Sequence, residues 1–286
     1  MKTFIARTKS HWFTSLIAIT LLAAAGICFS NAFAKASRVS PAKPVETRTA
    51  THMFAPAAAF SFSNPIQLVR PLSPVFFQQG GEPEIKIDLY GNIYVTAMQG
   101  VPGGIDLWKS VNNGASFTYL GQPDGAQDHC PTLPQCFGAG GGDDQIDVST
   151  GGYLYVSSLW LGNVTVSASY DGGMGGVQPG QKWEVNPAAA GIPSDDRQWV
   201  AAYGPETLYM TYAATALTRP PGGIGLFITK STDAGKTFSP PVEITALTPL
   251  DTVNVEGNLV VDPYNGNIYT TYVPNAATNQ IKLARS

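Results

Sequence analysis

Four carboxylates recur at equivalent positions along the chain. Glu82 and Asp143 each lie 12 residues before a tyrosine, and Asp196 and Glu256 each lie 13 residues before one. Carboxylates that lie close together shift one another's pKa values, so that one acts as a general acid and another as a general base. They also bind cations such as Ca²⁺, or accept hydrogen bonds from the backbone of a neighbouring unit. The column is therefore a candidate for catalysis, for a cation site or for a structural role.

Further charged residues adjoin this column and extend the candidate site. Asp143, Asp196 and Glu256 are the catalytic candidates, and Glu82, Asp144 and Arg197 are the candidates for substrate binding. Glu84 and Asp195 stand beside them. Two roles are open for Arg197: an anion clamp, or an ion pair with Asp195 or Asp196.

The four tyrosines mark a strand that recurs with the carboxylates. Each belongs to a run of β-branched and aromatic residues that is entered from a turn, which predicts a strand. A short apolar strand precedes each run, at 85–87, 146–148, 199–201 and 259–261, and a third follows it, at 105–109, 164–168, 226–230 and 281–285. With no helical periodicity, four antiparallel strands per unit predict an all-β fold, a β-propeller of four-stranded blades. Because the innermost strands surround the channel of such a fold, the carboxylates should meet at one mouth of it.

A turn motif runs in phase with these strands and joins the third strand to the fourth. It reads Ser-x-Asp-x-Gly, followed by an aromatic residue, and its positions are Ser110, Asn112, Gly114 and Phe117; Ser169, Asp171 and Gly173, with Trp183 as a delayed aromatic; and Ser231, Asp233, Gly235 and Phe238. Asp and Asn side chains accept hydrogen bonds from backbone N–H groups a few residues on, and Gly permits a positive φ. The motif is predicted to be structural, with its aromatic residue filling the space between sheets.

This motif resembles the Asp-box, or BNR repeat, of sialidases and related propellers, and the resemblance covers residues from about 80 to 286. It implies a six-bladed propeller and exo-glycoside hydrolysis, with three arginines for the substrate carboxylate, a Tyr–Glu nucleophile pair and an Asp acid/base. Only Arg197 is placed at the predicted mouth, and Arg70 does not match the family's Phe/Tyr-Arg-Ile-Pro motif. The recurring tyrosines at 94, 155, 209 and 269 are predicted to pack between blades rather than to act as nucleophiles.

The position of the last residue carries a further expectation. Ser286 lies 55 residues after Ser231, where another copy of the turn motif would begin. The fourth blade is therefore expected to lack its last strand, and the chain to be an incomplete six-bladed propeller of about four blades.

The N-terminal region has the pattern of a secretory signal peptide. Three basic residues precede an apolar run from Trp12 to Phe29, and Ala32-Phe33-Ala34 supplies a cleavage pattern. Residues 1–34 are thus predicted to be removed, against the alternative of a transmembrane anchor. Residues 35–75 are predicted to be a flexible lead-in rich in Ala, Pro, Ser and Thr, with a first strand near Ile66–Val69, and 76–286 the propeller.

The composition of the mature protein indicates its cellular compartment and the classes of partner that it disfavours. Without residues 1–34 the chain has six more acidic than basic residues, which disfavours nucleic acid and anionic membranes as partners. Cys130 and Cys136 are expected to form a disulfide in an oxidising compartment, and a metal site with His129 and Asp128 is the alternative. The protein is expected to be secreted, periplasmic or at the cell surface.

Two functions follow from these patterns. The first is exo-glycoside hydrolysis of the sialidase type at the channel mouth, with no cofactor required and Ca²⁺ as an open alternative. The second is a non-catalytic extracellular propeller that binds glycans or proteins.

Overall fold

The computed structural model describes residues 61–70, 80–125, 140–173, 183–193, 196–215, 223–245, 253–275 and 279–286. Residues Phe62–Ser286 form one compact unit. The signal peptide, most of the lead-in and the Cys130–Cys136 pair lie outside the described residues, and they remain predictions. Within the described ranges, no helix is long and apolar enough to cross a membrane.

Fifteen strands are described, and they form four antiparallel sheets. The first sheet contains β1 (Gly81–Ile87), β2 (Ile93–Met98), β3 (Ile105–Ser110) and β4 (Thr118–Gly121). The second contains β5 (Asp144–Val148), β6 (Leu154–Trp160), β7 (Asn163–Ser169) and β8 (Trp183–Asn186). The third contains β9 (Gln198–Tyr203), β10 (Thr207–Thr215), β11 (Ile224–Ser231) and β12 (Val242–Glu243), and the fourth contains β13 (Val253–Val261), β14 (Ile268–Pro274) and β15 (Lys282–Arg285).

The sheets are the blades of a β-propeller, as predicted. In every sheet the strands are neighbours in chain order, with no crossover. The first strands of successive blades contact one another, β1 with β5, β5 with β9 and β9 with β13, so these strands line the central channel. Because neighbouring strands are antiparallel, the first strand of each blade starts at one end of the channel, here called the mouth. The turns that follow the first and third strands lie at the opposite end.

Apolar residues packed between consecutive blades form the core. One cluster lies between the first and second blades and contains Tyr94, Leu107 and Val156. A larger one between the second and third blades contains Tyr155 and Met210, among others. Tyr94 and Tyr155 are almost fully buried, which agrees with a packing role for these tyrosines. The blades are therefore held face to face by hydrophobic burial, which is the main stabilising contribution in such folds.

The Ser-x-Asp-x-Gly turns are closed by their own side chains. In the third blade, Ser231 Oγ donates to Asp233 Oδ1 at 2.7 Å and accepts from the Gly235 N–H at 2.8 Å. Asp233 Oδ1 also accepts from the Thr237 N–H at 2.9 Å. Gly235 has a φ of 85°, a region that favours glycine. The turn is thus a self-contained hydrogen-bonded unit, and in the first blade Ser110 and Asn112 repeat its pattern.

In the second and third blades, the aromatic residue that follows the turn packs against the core that lies next to its blade. Phe238 packs against the core between the second and third blades, and Trp183 packs against the core between the first and second. Phe238 and Trp183 thus each fill the gap between their own blade and the preceding one. Phe117 is half-buried and is not a member of the core clusters that the described residues form, so its role in filling a space between sheets stays a prediction.

Two strand predictions differ from the structure. Residues 61–70 form no strand, although their backbone is used: the Val69 carbonyl accepts a 3.0 Å hydrogen bond from Trp108 Nε1. The last strand begins at Lys282 rather than at Ile281, which is exposed.

Candidate functional site

Arg197 lies at the centre of the mouth and joins two blades that are not neighbours. It precedes β9 of the third blade, yet its Nη1 donates to Glu82 Oε2 of the first blade at 2.6 Å. Its Nη2 donates to Glu84 Oε1 at 3.2 Å. The guanidinium also stacks over the Trp199 ring, 4.4 Å from its centroid. The expected partners were Asp195 or Asp196; the structure pairs Arg197 with Glu82 and Glu84, and Asp195 lies outside the described residues.

Asp143 lies beside this ion pair and is coupled to it. Its carboxyl is within hydrogen-bonding reach of Glu82. Burial raises the pKa of Asp143, and the negative charge of Glu82 raises it further, whereas Arg197 opposes the shift. The backbone of Asp143 is fixed to the third blade, because Gln198 Nε2 donates to its carbonyl at 2.6 Å.

Asp144 is buried beneath the surface of the mouth. The residue has no exposed surface, and neither carboxylate oxygen has a hydrogen-bond partner of normal geometry. Burial raises the pKa of Asp144 to about 7, the negative charge of Glu84 adds to the shift, and the nearby Thr96 hydroxyl opposes it. Because a fully buried carboxyl does not reach a bound ligand, the structure does not support direct substrate contact by Asp144.

Glu256 brings a second carboxyl of high pKa from the fourth blade. It is 8% exposed, and its Oε1 has no hydrogen-bond partner. Burial raises the pKa of Glu256 to about 7, and the charges of Asp196 and Asp143 raise it further. The three catalytic candidates are therefore close enough to influence one another, and the exposed Asp196 completes the set.

Irregular backbone places two of these acids. The pairing of β13 with β14 shifts register directly after Glu256, and that of β1 with β2 shifts between Gly81 and Glu84. Glu82 lies in the second irregularity with a φ of 41°, which is uncommon for a residue with a side chain. Such bulges re-aim side chains and are frequent beside active sites. The spacing of 12 or 13 residues located both acids, but not the backbone irregularity that orients them.

The composition of the mouth sets its chemistry. Among the described residues, six carboxyls surround the Arg197 guanidinium, those of Glu82, Glu84, Asp143, Asp144, Asp196 and Glu256. No group of three or more His, Cys, Asp or Glu side chains among the described residues is arranged to hold a metal ion. Asp144 and Glu256 have pKa values near 7, and both lie close to Arg197, which forms direct ion pairs with Glu82 and Glu84. This pattern suits proton transfer near neutral pH.

The other arginines of the described residues serve elsewhere. Arg70 lies 3.4 Å from Asp106 Oδ1 in the first blade, and Arg285 is in the exposed last strand. Arg219 lies outside the described residues. Arg197 is thus the arginine that the described residues bring to the mouth, and the three-arginine arrangement implied by the sialidase resemblance is not assembled from them.

Two residues of the site carried no role in the sequence interpretation. The sequence pattern marks Glu84 only as a neighbour of the column, although it shares Arg197 with Glu82. The sequence pattern predicts Trp199 only as part of a strand, yet its ring lies against the Arg197 guanidinium. The signal for Trp199 was its separation of two residues from Arg197, since residues i and i+2 of a strand share one face.

Comparison with known proteins adds remote structural similarity. No protein-family model and no curated protein sequence matches the chain. An α-L-arabinofuranosidase from Fusarium graminearum, in complex with an iminosugar inhibitor, is 16% identical, with a TM-score of 0.48 over 72% of this chain and 62% of its own. A GH43_1 enzyme from Xanthomonas citri complexed with xylotriose is 17% identical (TM-score 0.42; 72% and 70% covered), and an α-L-arabinanase from Cellvibrio cellulosa complexed with arabinohexaose is 13% identical (TM-score 0.38; 71% and 71%).

The chain thus spans less than two thirds of the length of the arabinofuranosidase. These similarities assign neither a family nor an activity, and the sialidase-like assignment is not supported by them. The arrangement of blades itself identifies the fold: the described chain is an all-β protein whose antiparallel sheets are the blades of a β-propeller.

Proposed function

We propose that this propeller acts on glycans, as a glycoside hydrolase with its reaction centre at the acidic mouth. Glu256 is the general acid, and the exposed carboxylate of Asp196 is its partner, which activates water or attacks the sugar. Arg197 and Trp199 form the adjoining wall. Hydrolysis of a glycosidic bond requires such a pair, one carboxyl that donates a proton and one that is ionised.

One observation carries the proposal: the pKa of Glu256 is raised to about 7 in a cluster with Asp143 and Asp196. An ordinary glutamic acid is almost entirely ionised at neutral pH and is a poor proton donor. Burial of Glu256, together with two negative neighbours, keeps a substantial fraction of it protonated there. Two acids with different environments in one cleft are the usual way in which glycosidases separate the acid from the base.

The charges at the mouth favour a neutral sugar over a sialoside. Arg197 is the cation that would bind a substrate carboxylate, but Glu82 and Glu84 already occupy its guanidinium. A sialic acid would have to displace one of them and would also face the negative charges of Asp143 and Asp196. We therefore prefer neutral glycosides, which need no such displacement, to the sialidase type of substrate.

The second candidate function is a non-catalytic propeller that binds glycans or proteins. It is favoured by the burial of Asp144 and by the ion pairs of Arg197, since a buried carboxyl and a guanidinium paired with two carboxylates are both compatible with structural roles. In that case the acids hold the first and third blades together and the mouth binds without turnover.

The test is hydrolysis of aryl glycosides of neutral sugars, including the α-L-arabinofuranoside and the β-D-xyloside, alongside an aryl sialoside. We expect release of the aryl group from at least one neutral glycoside and none from the sialoside. Glu256→Gln should lower kcat about 100-fold or more, the typical contribution of general acid catalysis. Glu243→Gln, in β12 away from the mouth, is the matched control and should keep wild-type activity.

Turnover of the sialoside alone would contradict the preference for neutral sugars. No turnover of any glycoside, with glycan binding retained, would favour the non-catalytic propeller. Equal activity of the Glu256→Gln and wild-type proteins would overturn the assignment of the acid.

A further inference from the structure

A cavity lies at the end of the propeller opposite the mouth, between the second and third blades. Its volume is about 240 Å³, and it is lined by Tyr153, Tyr170, Glu206, Asp233, Ala234 and Lys236. Tyr153 and Glu206 belong to the turns between the first two strands of their blades, and the other residues belong to Ser-x-Asp-x-Gly turns. Because these turns lie away from the start of the inner strands, the cavity is separate from the acidic mouth.

Two tyrosines distinguish this place from its equivalents in the other blades. Aligning the repeats places a non-aromatic residue at the other copies of both positions: Asn92, Thr207 and Asn267 for Tyr153, and Val111 and Thr232 for Tyr170. The blade fold therefore does not require an aromatic residue at either position. Both are tyrosine in the second blade, where the two rings contact each other and pack against the core between the second and third blades, and both also line the cavity.

The geometry holds the two rings as fixed walls. Their centroids are 5.2 Å apart and their planes are inclined at 83°, an edge-to-face arrangement. Tyr153 Oη donates to Glu206 Oε1 at 3.3 Å, and Tyr170 Oη donates to Glu184 Oε2 at 2.5 Å. Both hydroxyls are thus anchored, and the rings stay at right angles on adjacent sides of the cavity. Little conformational entropy remains to be lost when a ligand binds.

The charges around the rings limit the class of ligand. Lys236 Nζ lies 5.3 Å from the centroid of the Tyr170 ring and 3.4 Å from Glu184 Oε2. An ammonium group already placed over the ring repels a cationic ligand. The carboxylates of Glu206, Asp233 and Glu184 repel an anionic one. A neutral ligand is repelled by neither set of charges. Its C–H groups can pack against the tyrosine rings, and its hydroxyls can form hydrogen bonds with Glu206 and Lys236.

We propose that this cavity is a saccharide-binding site that holds one neutral sugar residue of an oligosaccharide against the Tyr153–Tyr170 pair. Pockets for drug-sized molecules have volumes from about 300 Å³ upwards, so the smaller cavity here suits a single ring. The carboxylate of Glu206 and the ammonium group of Lys236 are exposed polar groups at its rim that orient the sugar. Its position on the face opposite the mouth makes it a site for holding a glycan, independent of the chemistry proposed at the mouth.

The experiment is titration of the full chain with xylotriose, cellotriose and mannotriose, each measured by ligand-observed NMR and calorimetry. We expect at least one trisaccharide to bind. Tyr170→Thr and Tyr153→Asn, which install the residues found in other blades, should each raise its dissociation constant about tenfold or more, the effect of losing an aromatic contact. Tyr264→Ala is the matched control, since Tyr264 is 94% exposed in an equivalent turn of the fourth blade and lines no described cavity.

Lys236→Ala covers the case in which a tyrosine variant fails to fold, because Lys236 is exposed and should also weaken binding. Weakened binding in these variants with unchanged affinity in Tyr264→Ala supports the proposal. No binding of any trisaccharide by the wild-type chain, or equal affinity in all variants, overturns it. Neither result bears on hydrolysis at the mouth, which is measured by turnover.

Discussion

Arg197 of the third blade donates a 2.6 Å hydrogen bond to Glu82 of the first blade, passing the second blade that stands between them. A single guanidinium therefore links non-adjacent blades and offsets part of the negative charge at the mouth. The carboxyls that it does not contact directly, Glu256 above all, keep high pKa values because they are buried among like charges. The Arg197–Glu82 ion pair and the raised pKa of Glu256 thus both result from the clustering of carboxyls at the mouth.

The proposed acid predicts the pH dependence of hydrolysis. Glu256 must be protonated to donate, and its pKa is about 7. We therefore expect kcat/KM to fall as the pH rises above 7, approaching a tenfold loss per pH unit. The measurement is a pH profile of kcat/KM on the best neutral glycoside between pH 5 and 9. A profile that stays level from pH 6 to 9 would contradict the role of Glu256.

Asp144 predicts an unusual dependence of stability on pH. Its pKa is raised to about 7 in the folded state, so between about pH 4 and 7 the folded chain binds more protons than the unfolded chain. The free energy of unfolding should therefore decrease as the pH rises through this range, by on the order of 4 kcal/mol from this residue. Above pH 7 the contribution stays constant.

Asp144→Asn should flatten this dependence, and the double variant Asp144→Asn/Glu256→Gln should flatten it further. Urea unfolding at pH 4, 5, 6, 7 and 8 provides the free energies. The variants are compared by the slope of the free energy of unfolding against pH rather than by its absolute value. The reason is that the Asn or Gln side chain introduced is a buried amide, which has a hydrogen-bonding cost of its own. An unchanged slope in both variants would show that these carboxyls ionise normally in the folded protein.

Removal of the Arg197 guanidinium should change the pKa values of the neighbouring carboxyls. Burial raises the pKa values of Asp143 and Glu84, and the positive charge of Arg197 opposes that rise, so Arg197→Gln should raise both pKa values further. The matched control is Lys86→Gln, because the Lys86 charge also lowers the pKa of Glu84. We expect that control to raise the pKa of Glu84 more than that of Asp143. Carboxyl ¹³C NMR titration measures both values, and identical titrations in the wild-type and Arg197→Gln proteins would refute the coupling.

The turn motif predicts a loss of stability without a loss of function. Ser231→Ala removes the oxygen that binds both Asp233 and the Gly235 N–H, and Ser231 is 1% exposed. We expect the free energy of unfolding to fall by about 1–3 kcal/mol, since a buried N–H loses its partner. Thr232→Ala, the exposed neighbour in the same turn, should change it by less than about 0.5 kcal/mol. Glycoside hydrolysis by folded Ser231→Ala protein should remain unchanged; a selective loss of activity would place the turn in the site.

Much of the fold could be predicted because it repeats. The tyrosine strands and the Ser-x-Asp-x-Gly turns recur in register, and each turn is closed by contacts within a few residues, as at Ser231 and Gly235. The same repeats placed Glu82, Asp143, Asp196 and Glu256 at one mouth. The packing of the aromatic residue after each turn depends on the neighbouring blade, as for Trp183 and Phe238, and the local motif does not encode that contact.

What the sequence by itself determined is the blade, its turns and the meeting of the acids, since local hydrogen bonds and hydrophobic alternation specify them. Only the tertiary structure decided that Arg197 pairs with Glu82 and Glu84, that Asp144 is fully buried, and that Tyr153 and Tyr170 line a cavity. Proton affinity, ion pairing and cavity shape depend on burial and on residues of different blades, which for Arg197 and Glu82 lie 115 positions apart in the chain. No spacing within one repeat contains that information.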